Sequence, residues 1–208
     1  PYGDAMYMLT KYRLGGWDSM LRRYLADWQL QQLSIPFSVV AVDLVKAQEV
    51  MIDRGDVTRS IVESINLPWL SRPICRDGMT LIDGGILNVL PADILVNQRA
   101  NVVIASDVAA RIQFEFAGNR PDTPTRKMKV PTTAQTATRV KTVQDRNICT
   151  MGGTTADVTI EPDVADVQLP DFKNAVEIAA LGRKAALEML PEVRRILHET
   201  DKQLFPLS

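Results

Sequence analysis

The sequence is short of histidine, cysteine and long apolar runs, and each shortage argues against a class of protein. Of its 208 residues, one is histidine and two are cysteine. Cys75 and Cys149 lie far apart and form no C-x-x-C pair, so neither a zinc ribbon nor a disulfide framework is indicated. No apolar run approaches the ~20 residues that a membrane-spanning helix needs. We therefore expect a protein of a reducing, cytoplasmic compartment.

The sequence also lacks an excess of charge of either sign. It holds 24 Lys and Arg against 25 Asp and Glu, which gives a formal net charge of −1. A domain that binds nucleic acid usually carries a basic field, so nucleic acid is not an expected partner. No cofactor and no metal site are expected either. With 46% hydrophobic residues, the chain can bury a substantial core.

Apolar periodicity along the chain alternates between the patterns of strands and of helices. Runs rich in β-branched residues predict strands at 37–43, 49–53, 101–106 and 157–161, and Asp77-Gly78 predicts a hairpin. Helical spacing predicts helices at 17–33, 57–65, 91–98, 133–145 and 173–199, and Asp56 or Thr58 is expected to cap the second of them. Pro191 is expected to kink or restart the last of these helices. Strands that alternate with helices predict an α/β layer fold.

One aspartate lies at the end of a predicted strand, in the segment TLIDGGILNVLPADI at residues 80–94. Asp83 is expected to emerge at the edge of the sheet, where open α/β folds place their sites. Gly84 and Gly85 permit a tight turn or the close approach of another chain segment. Taken alone, the Asp-Gly-Gly sequence is also typical of a turn aspartate that caps the next helix.

An ordered series of segments surrounds that aspartate. It consists of IPFSVVAVDL (35–44), VMIDRGDVTRSIVESINLP (50–68), RDGMTLIDGGILNVLPADIL (76–95) and EIAALGRKAALEMLPEVRRIL (177–197). This series resembles the C-terminal part of the patatin-like phospholipase domain. The resemblance implies a three-layer α/β/α fold with a central, mostly parallel sheet, incomplete at the N-terminus. It also implies that Asp83, supported by Gly84 and Gly85, is catalytic in a Ser-Asp dyad that hydrolyses acyl esters of lipids.

The serine of that dyad is missing from this sequence. In the family it lies in a G-x-S-x-G turn, and none of the eight serines here has a glycine two residues away on both sides. We therefore expect the nucleophile to lie in an N-terminal part outside this sequence, and the 208 residues alone to be inactive. The one histidine, His198, lies in a charged helical tail, so a Ser-His-Asp triad is not expected.

The resemblance also predicts domains and partners. It divides the chain into a helical lid-like or connecting segment (1–34), a C-terminal portion of the hydrolase domain (35–200) and a tail (201–208). A lipid or acyl-ester substrate is expected, and the oligomeric state is left open. In the polar segment 117–133, the basic residues Arg126, Lys127 and Lys129 could contact lipid headgroups at a membrane periphery, although a solvated loop is the simpler interpretation.

A second hypothesis is a non-catalytic α/β module that binds a phosphorylated ligand. Its turns would be Asp83-Gly84-Gly85 and Gly152-Gly153-Thr154-Thr155, because successive backbone N–H groups in glycine-rich turns can hold an anion. The residues that precede Pro1 in the gene would separate the two hypotheses, since a G-x-S-x-G turn there would support the hydrolase.

Overall fold

The computed structural model describes residues 15–68, 71–109, 112, 114–153, 155–164, 167 and 174–206. The described residues fall into two compact units, which divide between Asn88 and Val89. Each unit contains a hydrophobic core of its own. The predicted boundaries at residues 34 and 200 come from the family resemblance and stay predictions.

The first unit consists of an antiparallel sheet and two helices. Its elements are α1 (Gly15–Leu25), β1 (Val39–Asp43), β2 (Gln48–Ile52), α2 (Val57–Ser64), β3 (Ile74–Arg76) and β4 (Met79–Asp83). The strands lie in the order β2-β1-β4-β3, and every neighbouring pair is antiparallel. Helix α2 packs over β1 and β4. The buried core of the unit consists of Leu30, Val39, Ala41, Ile52, Val57 and Leu81.

Two local predictions for this unit are confirmed. Asp77 and Gly78 both have positive φ, 50° and 75°, and they form the tight turn between β3 and β4. Such a turn requires two left-handed residues, which Asp-Gly supplies at low cost. Asp56 caps α2 by accepting a hydrogen bond from the Arg59 N–H at 2.7 Å. Its carboxylate is also paired with the Arg22 guanidinium, which ties α1 to the start of α2.

Helix α2 buries a charged residue that periodicity does not single out. Glu63 is fully buried, whereas Ile65, which the helical pattern placed on the apolar face, is 43% exposed. The Glu63 carboxylate accepts hydrogen bonds from Arg76 Nε at 2.6 Å and Arg76 Nη2 at 2.8 Å. Arg59 Nε, one turn earlier on the same face of the helix, adds a third at 3.1 Å. This ion pair joins α2 to β3 across the edge of the sheet.

The second unit contains the parallel strands. Its elements are α3 (Ala92–Asn97), β5 (Ile104–Ser106), α4 (Thr133–Gly153), β6 (Val158–Ile160) and α5 (Ala175–Thr200). Strands β5 and β6 pair in parallel, with Ile104 opposite Val158, and a helix runs between them in sequence. The expected α/β class is confirmed. In the first unit, short connections account for the antiparallel β1–β2 and β3–β4 pairs, and β1 also pairs antiparallel with β4.

Some helix boundaries differ from the prediction. Helix α1 already includes Gly15, and it ends at Leu25 because Ala26 takes a positive φ of 46°. Helix α4 continues to Gly153, eight residues past the predicted end. Helix α5 runs unbroken through Pro191, so the restart does not occur. A proline removes one backbone hydrogen bond, and more than two turns on either side hold this helix together.

A buried cluster connects α4 to the end of β5. The Asp107 carboxylate accepts hydrogen bonds from Cys149 Sγ at 3.1 Å, from Arg146 Nη1 at 2.5 Å and from the Ala109 N–H at 2.8 Å. Burial alone would raise the pKa of Asp107, but these hydrogen bonds together lower it. Burial, followed by the neighbouring Asp107 carboxylate, raises the pKa of the Cys149 thiol to about 12. The thiol therefore stays protonated and unreactive at neutral pH.

We expect alkaline pH to destabilise the second unit through Cys149. Because the folded-state pKa of about 12 lies above the ordinary value of 9.0, the contribution of this thiol is complete below about pH 9 and is lost as the pH rises toward 12. The free energy of unfolding should thus fall less steeply over this window in Cys149→Ala than in the unchanged protein, by chemical denaturation followed by helical circular dichroism. Equal slopes in the two proteins would contradict the assignment.

Within the described ranges, no helix is both long and apolar enough to cross a membrane.

Candidate active site

Asp83 lies where β4 ends, as the sequence predicts. Asp83 is paired with Ala41 of β1, so on this side β4 stays in the sheet up to its last residue. On the other side, β3 does not reach Asp83, because its first residue, Ile74, is paired with Leu81. The Asp83 N–H donates instead to the Asn66 carbonyl at 2.9 Å. The backbone of the aspartate is therefore held from both sides at the tip of the strand.

Asn66 replaces the missing residues of β3. It is 1% exposed, and its side-chain amide donates to the Leu81 carbonyl at 3.3 Å and to the Arg72 carbonyl at 3.0 Å. Its side-chain oxygen accepts a hydrogen bond from the Ser71 hydroxyl. A buried amide with all these partners satisfied is rigid. The sequence does not single out Asn66, because an asparagine before Leu67-Pro68 is typical of an ordinary turn.

The Asp83 carboxylate faces the turn that follows. Its Oδ1 accepts a hydrogen bond from the Gly85 N–H at 2.7 Å, and Asp83 thereby caps the short 3₁₀ helix Gly84–Ile86. The side chain is half-buried. A carboxylate has two oxygens with about four acceptor positions, so a cap bond and other interactions can be made by the same group. The turn-capping role and a chemical role are thus compatible.

Gly84 is required by close packing. It is buried, and a Cβ placed there would lie 2.4 Å from the Val40 carbonyl oxygen and 2.7 Å from the Val40 carbonyl carbon. Both atoms are sheet backbone, which cannot move aside without distorting β1. At Gly85, a Cβ would lie 3.1 Å from Asp83 Oδ1. The two glycines therefore let the turn fold back on β1 without displacing the carboxylate.

Gly84→Ala should destabilise the first unit by about 3 kcal/mol, because the added methyl overlaps backbone atoms. All three tryptophans precede Asn88 in sequence, so tryptophan fluorescence during urea unfolding measures this unit. A control is Gly182→Ala in the second unit, where a Cβ meets nothing within 4 Å, with unfolding followed by helical circular dichroism. Since Gly182 is helical, that change should be neutral or stabilising. Unfolding midpoints that do not separate the two variants would contradict the packing argument.

Three serines of this unit, Ser60, Ser64 and Ser71, are engaged in structural hydrogen bonds. Ser60 donates to the Asp56 carbonyl at 2.9 Å, and Ser64 donates to the Val40 carbonyl at 2.7 Å. Ser71 donates to Asn66, as described above. No three His, Cys, Asp or Glu side chains within the described part of the chain are grouped to hold a metal ion.

The second glycine-rich turn has a packing role of its own. A Cβ at Gly152 would lie 2.3 Å from the Leu90 carbonyl oxygen. The Thr155 and Ala156 N–H groups donate to the Gly152 and Gly153 carbonyls at 3.2 and 3.3 Å. Because these two N–H groups are used within the turn, they do not point to an anion. Binding of a phosphorylated ligand by this turn stays a prediction.

Comparison with curated proteins finds relatives of two kinds, whereas no family model matches the sequence. Patatin-like phospholipase domain-containing protein 7 of Mus musculus is 32% identical over 116 residues, which cover 54% of this chain and 9% of that protein. Patatin-like phospholipase domain-containing protein 6 of Homo sapiens is 30% identical over 120 residues, 56% of this chain and 9% of that protein. An uncharacterized NTE family protein of Mycobacterium tuberculosis is 25% identical over 212 residues, 94% of this chain and 36% of that protein. The chain thus spans between about a tenth and about a third of the length of these relatives.

Proposed function

Because the chain is a homologue of patatin-like phospholipase domain proteins over about half its length, we propose that it is the aspartate-bearing part of a lipid acyl hydrolase. The reaction is hydrolysis of a carboxylic ester of a phospholipid or lysophospholipid. Asp83 is the general base, and the nucleophilic serine belongs to a segment outside these 208 residues. The observation that carries the proposal is the position of Asp83, half-buried at a strand tip with its backbone held on both sides.

The geometry of Asp83 suits proton transfer. A general base must lie within hydrogen-bond reach of the proton that it removes, and its orientation must not vary. The strand pairing with Ala41, the bond to the Asn66 carbonyl and the cap to Gly85 all limit the motion of this residue. A serine hydroxyl brought to the carboxylate would therefore meet a base that is already positioned, which lowers the entropic part of the barrier.

The proposed steps conserve protons and charge. Asp83 takes the proton of the serine hydroxyl as the serine oxygen bonds to the ester carbonyl carbon. The tetrahedral intermediate collapses, the carbon–oxygen bond to the alcohol breaks, and Asp83 returns its proton to the departing alkoxide. Water, deprotonated by the same carboxylate, then attacks the acyl carbon; the carbon–oxygen bond to serine breaks, Asp83 returns the proton to the serine oxygen, and the fatty acid leaves. The negative oxygen of each intermediate needs backbone N–H donors, which the serine-bearing segment would supply.

The experiment compares two single substitutions in a protein that contains this chain and the serine-bearing segment. Asp83→Asn should abolish hydrolysis of a p-nitrophenyl acyl ester and of a lysophospholipid. Asp77→Asn is the matched control, because its carboxylate is 74% exposed in the hairpin turn between β3 and β4. Full activity of Asp83→Asn would reject the role of Asp83, and equal losses in both variants would reject its specificity.

A further inference from the structure

A basic surface loop in the second unit has no part in the proposed chemistry. We define the basic loop as residues Asn119–Val130, which precede helix α4. It contains four basic residues, Arg120, Arg126, Lys127 and Lys129, against one acidic residue, Asp122. The chain as a whole has a net charge of −1, so this positive charge is a local feature and not part of a general basic field.

The basic loop has a defined conformation. At its base, the Asn119 side chain donates to the Lys129 carbonyl at 2.8 Å and accepts from the Lys129 N–H at 2.8 Å. Inside it, the Arg120 N–H donates to Thr123 Oγ1 at 2.8 Å, and a short 3₁₀ helix spans Thr125–Lys127. The two bonds of Asn119 close the loop on itself. Its side chains are therefore presented from a fixed frame.

Charged and apolar side chains are exposed together on this loop. Arg126, Lys127 and Lys129 are exposed, and no carboxylate of the described residues lies within ion-pair distance of them. Met128 is 53% exposed and Val130 is 94% exposed, although both are apolar. Exposure to water does not stabilise the apolar side chain of Val130, whereas burial would. Cations that alternate with exposed apolar side chains are a pattern that suits an interface between water and hydrocarbon.

Charge complementarity favours an anionic lipid surface as the partner of the basic loop. Each Lys or Arg near an anionic lipid surface raises the affinity of a protein for that surface by about fivefold. Such a surface also gives Met128 and Val130 an acyl layer in which to bury. Single-stranded nucleic acid would instead need aromatic side chains on which bases stack, and residues 119–130 contain none.

We propose that the basic loop docks the protein on the surface of an anionic bilayer, with Arg126, Lys127 and Lys129 at the headgroups and Met128 and Val130 inserted beneath them. The docking does not require Asp83 to act as a base. This contact is made with the bilayer surface and is separate from the binding of a single lipid molecule as substrate.

The experiment is vesicle co-sedimentation of the 208-residue chain. Phosphatidylcholine vesicles that contain phosphatidylserine should retain the protein at low salt, whereas vesicles of phosphatidylcholine alone should not. Added salt should weaken retention, because surface charges are screened beyond a Debye length of about 10 Å at 0.1 M. Equal retention by both kinds of vesicle, or by neither, would overturn the proposal. Retention on heparin or RNA but not on anionic vesicles would also overturn it.

Matched variants assign the effect to the basic loop. The combined change Arg126→Glu, Lys127→Glu and Lys129→Glu should lower vesicle affinity by at least about a hundredfold, since the loss of each cation costs about fivefold and each new carboxylate is repelled by the anionic surface. The control is Arg183→Glu, Lys184→Glu and Lys202→Glu, which alters the net charge of the chain by the same amount and should leave most of the affinity. Met128→Ser with Val130→Ser should weaken binding even at low salt. Equal losses in the two charge-reversed proteins would overturn the assignment.

Discussion

Asp83→Asn is expected to lower kcat/KM for ester hydrolysis by about a hundredfold to ten-thousandfold, the range that general base catalysis contributes. The amide of asparagine cannot accept a proton from serine at neutral pH. Its side-chain oxygen can still accept the hydrogen bond that the Gly85 N–H donates at 2.7 Å. The cap of the Gly84–Ile86 turn should survive, so the far-ultraviolet circular dichroism and the unfolding midpoint should not change.

Asp83→Ala separates catalysis from capping. Alanine removes both the base and the cap, so activity should fall as far as in Asp83→Asn, while the first unit should also lose about 1 kcal/mol of stability. Steady-state kinetics and urea unfolding, followed by tryptophan fluorescence, measure the two effects in the same protein samples. If Asp83→Asn lost stability in proportion to activity, the aspartate would be a structural residue and not a base.

Arg76→Met is expected to destabilise the first unit by about 3–5 kcal/mol, the usual cost of removing one partner from a buried ion pair. Glu63 is fully buried and receives two hydrogen bonds from Arg76, at 2.6 and 2.8 Å. Without the guanidinium, the buried carboxylate would lose two hydrogen bonds and the less exposed of its two cationic partners.

The same carboxylate provides a matched control. Arg59 also donates to Glu63, at 3.1 Å, but its side chain is 55% exposed. Arg59→Met should therefore cost less than about 1 kcal/mol, as is usual for exposed ion pairs. The double variant Glu63→Leu/Arg76→Met should recover much of the stability, because it removes both charges together. Similar losses for Arg59→Met and Arg76→Met, by tryptophan fluorescence in urea, would contradict the importance of burial.

Local sequence chemistry predicted the features that depend on a few neighbouring residues. The Asp77-Gly78 turn, the Asp56 cap and the end of β4 at Asp83 were all predictable, because each follows from the conformational preferences of the residues involved. Glu63 was not predicted as buried, since its burial depends on Arg76 arriving from a different element. Asn66 was missed for the same reason, because its partners include Leu81, fifteen residues away.

The pairing of the strands shows the same limit. Apolar runs predicted where strands lie, but not which neighbours they take. The Asp-Gly hairpin fixes β3 and β4 as antiparallel, whereas the pairing of β1 with β4 depends on packing of the whole unit. For Asp83, the position at a strand end was predictable, whereas its function is a proposal, because the 208 residues contain no G-x-S-x-G turn with which to pair it.

The closure of the basic loop by Asn119 has a consequence for how this region can vary. Since the two bonds between Asn119 and Lys129 fix both ends of the loop, the chain that follows receives the same starting point whatever lies between them. Helix α4 has its own capping pair, in which the Gln135 N–H donates to Thr132 Oγ1 and the Thr132 N–H donates to Gln135 Oε1. The length and composition of residues 120–128 can therefore change, in evolution or by design, without altering where helix α4 begins.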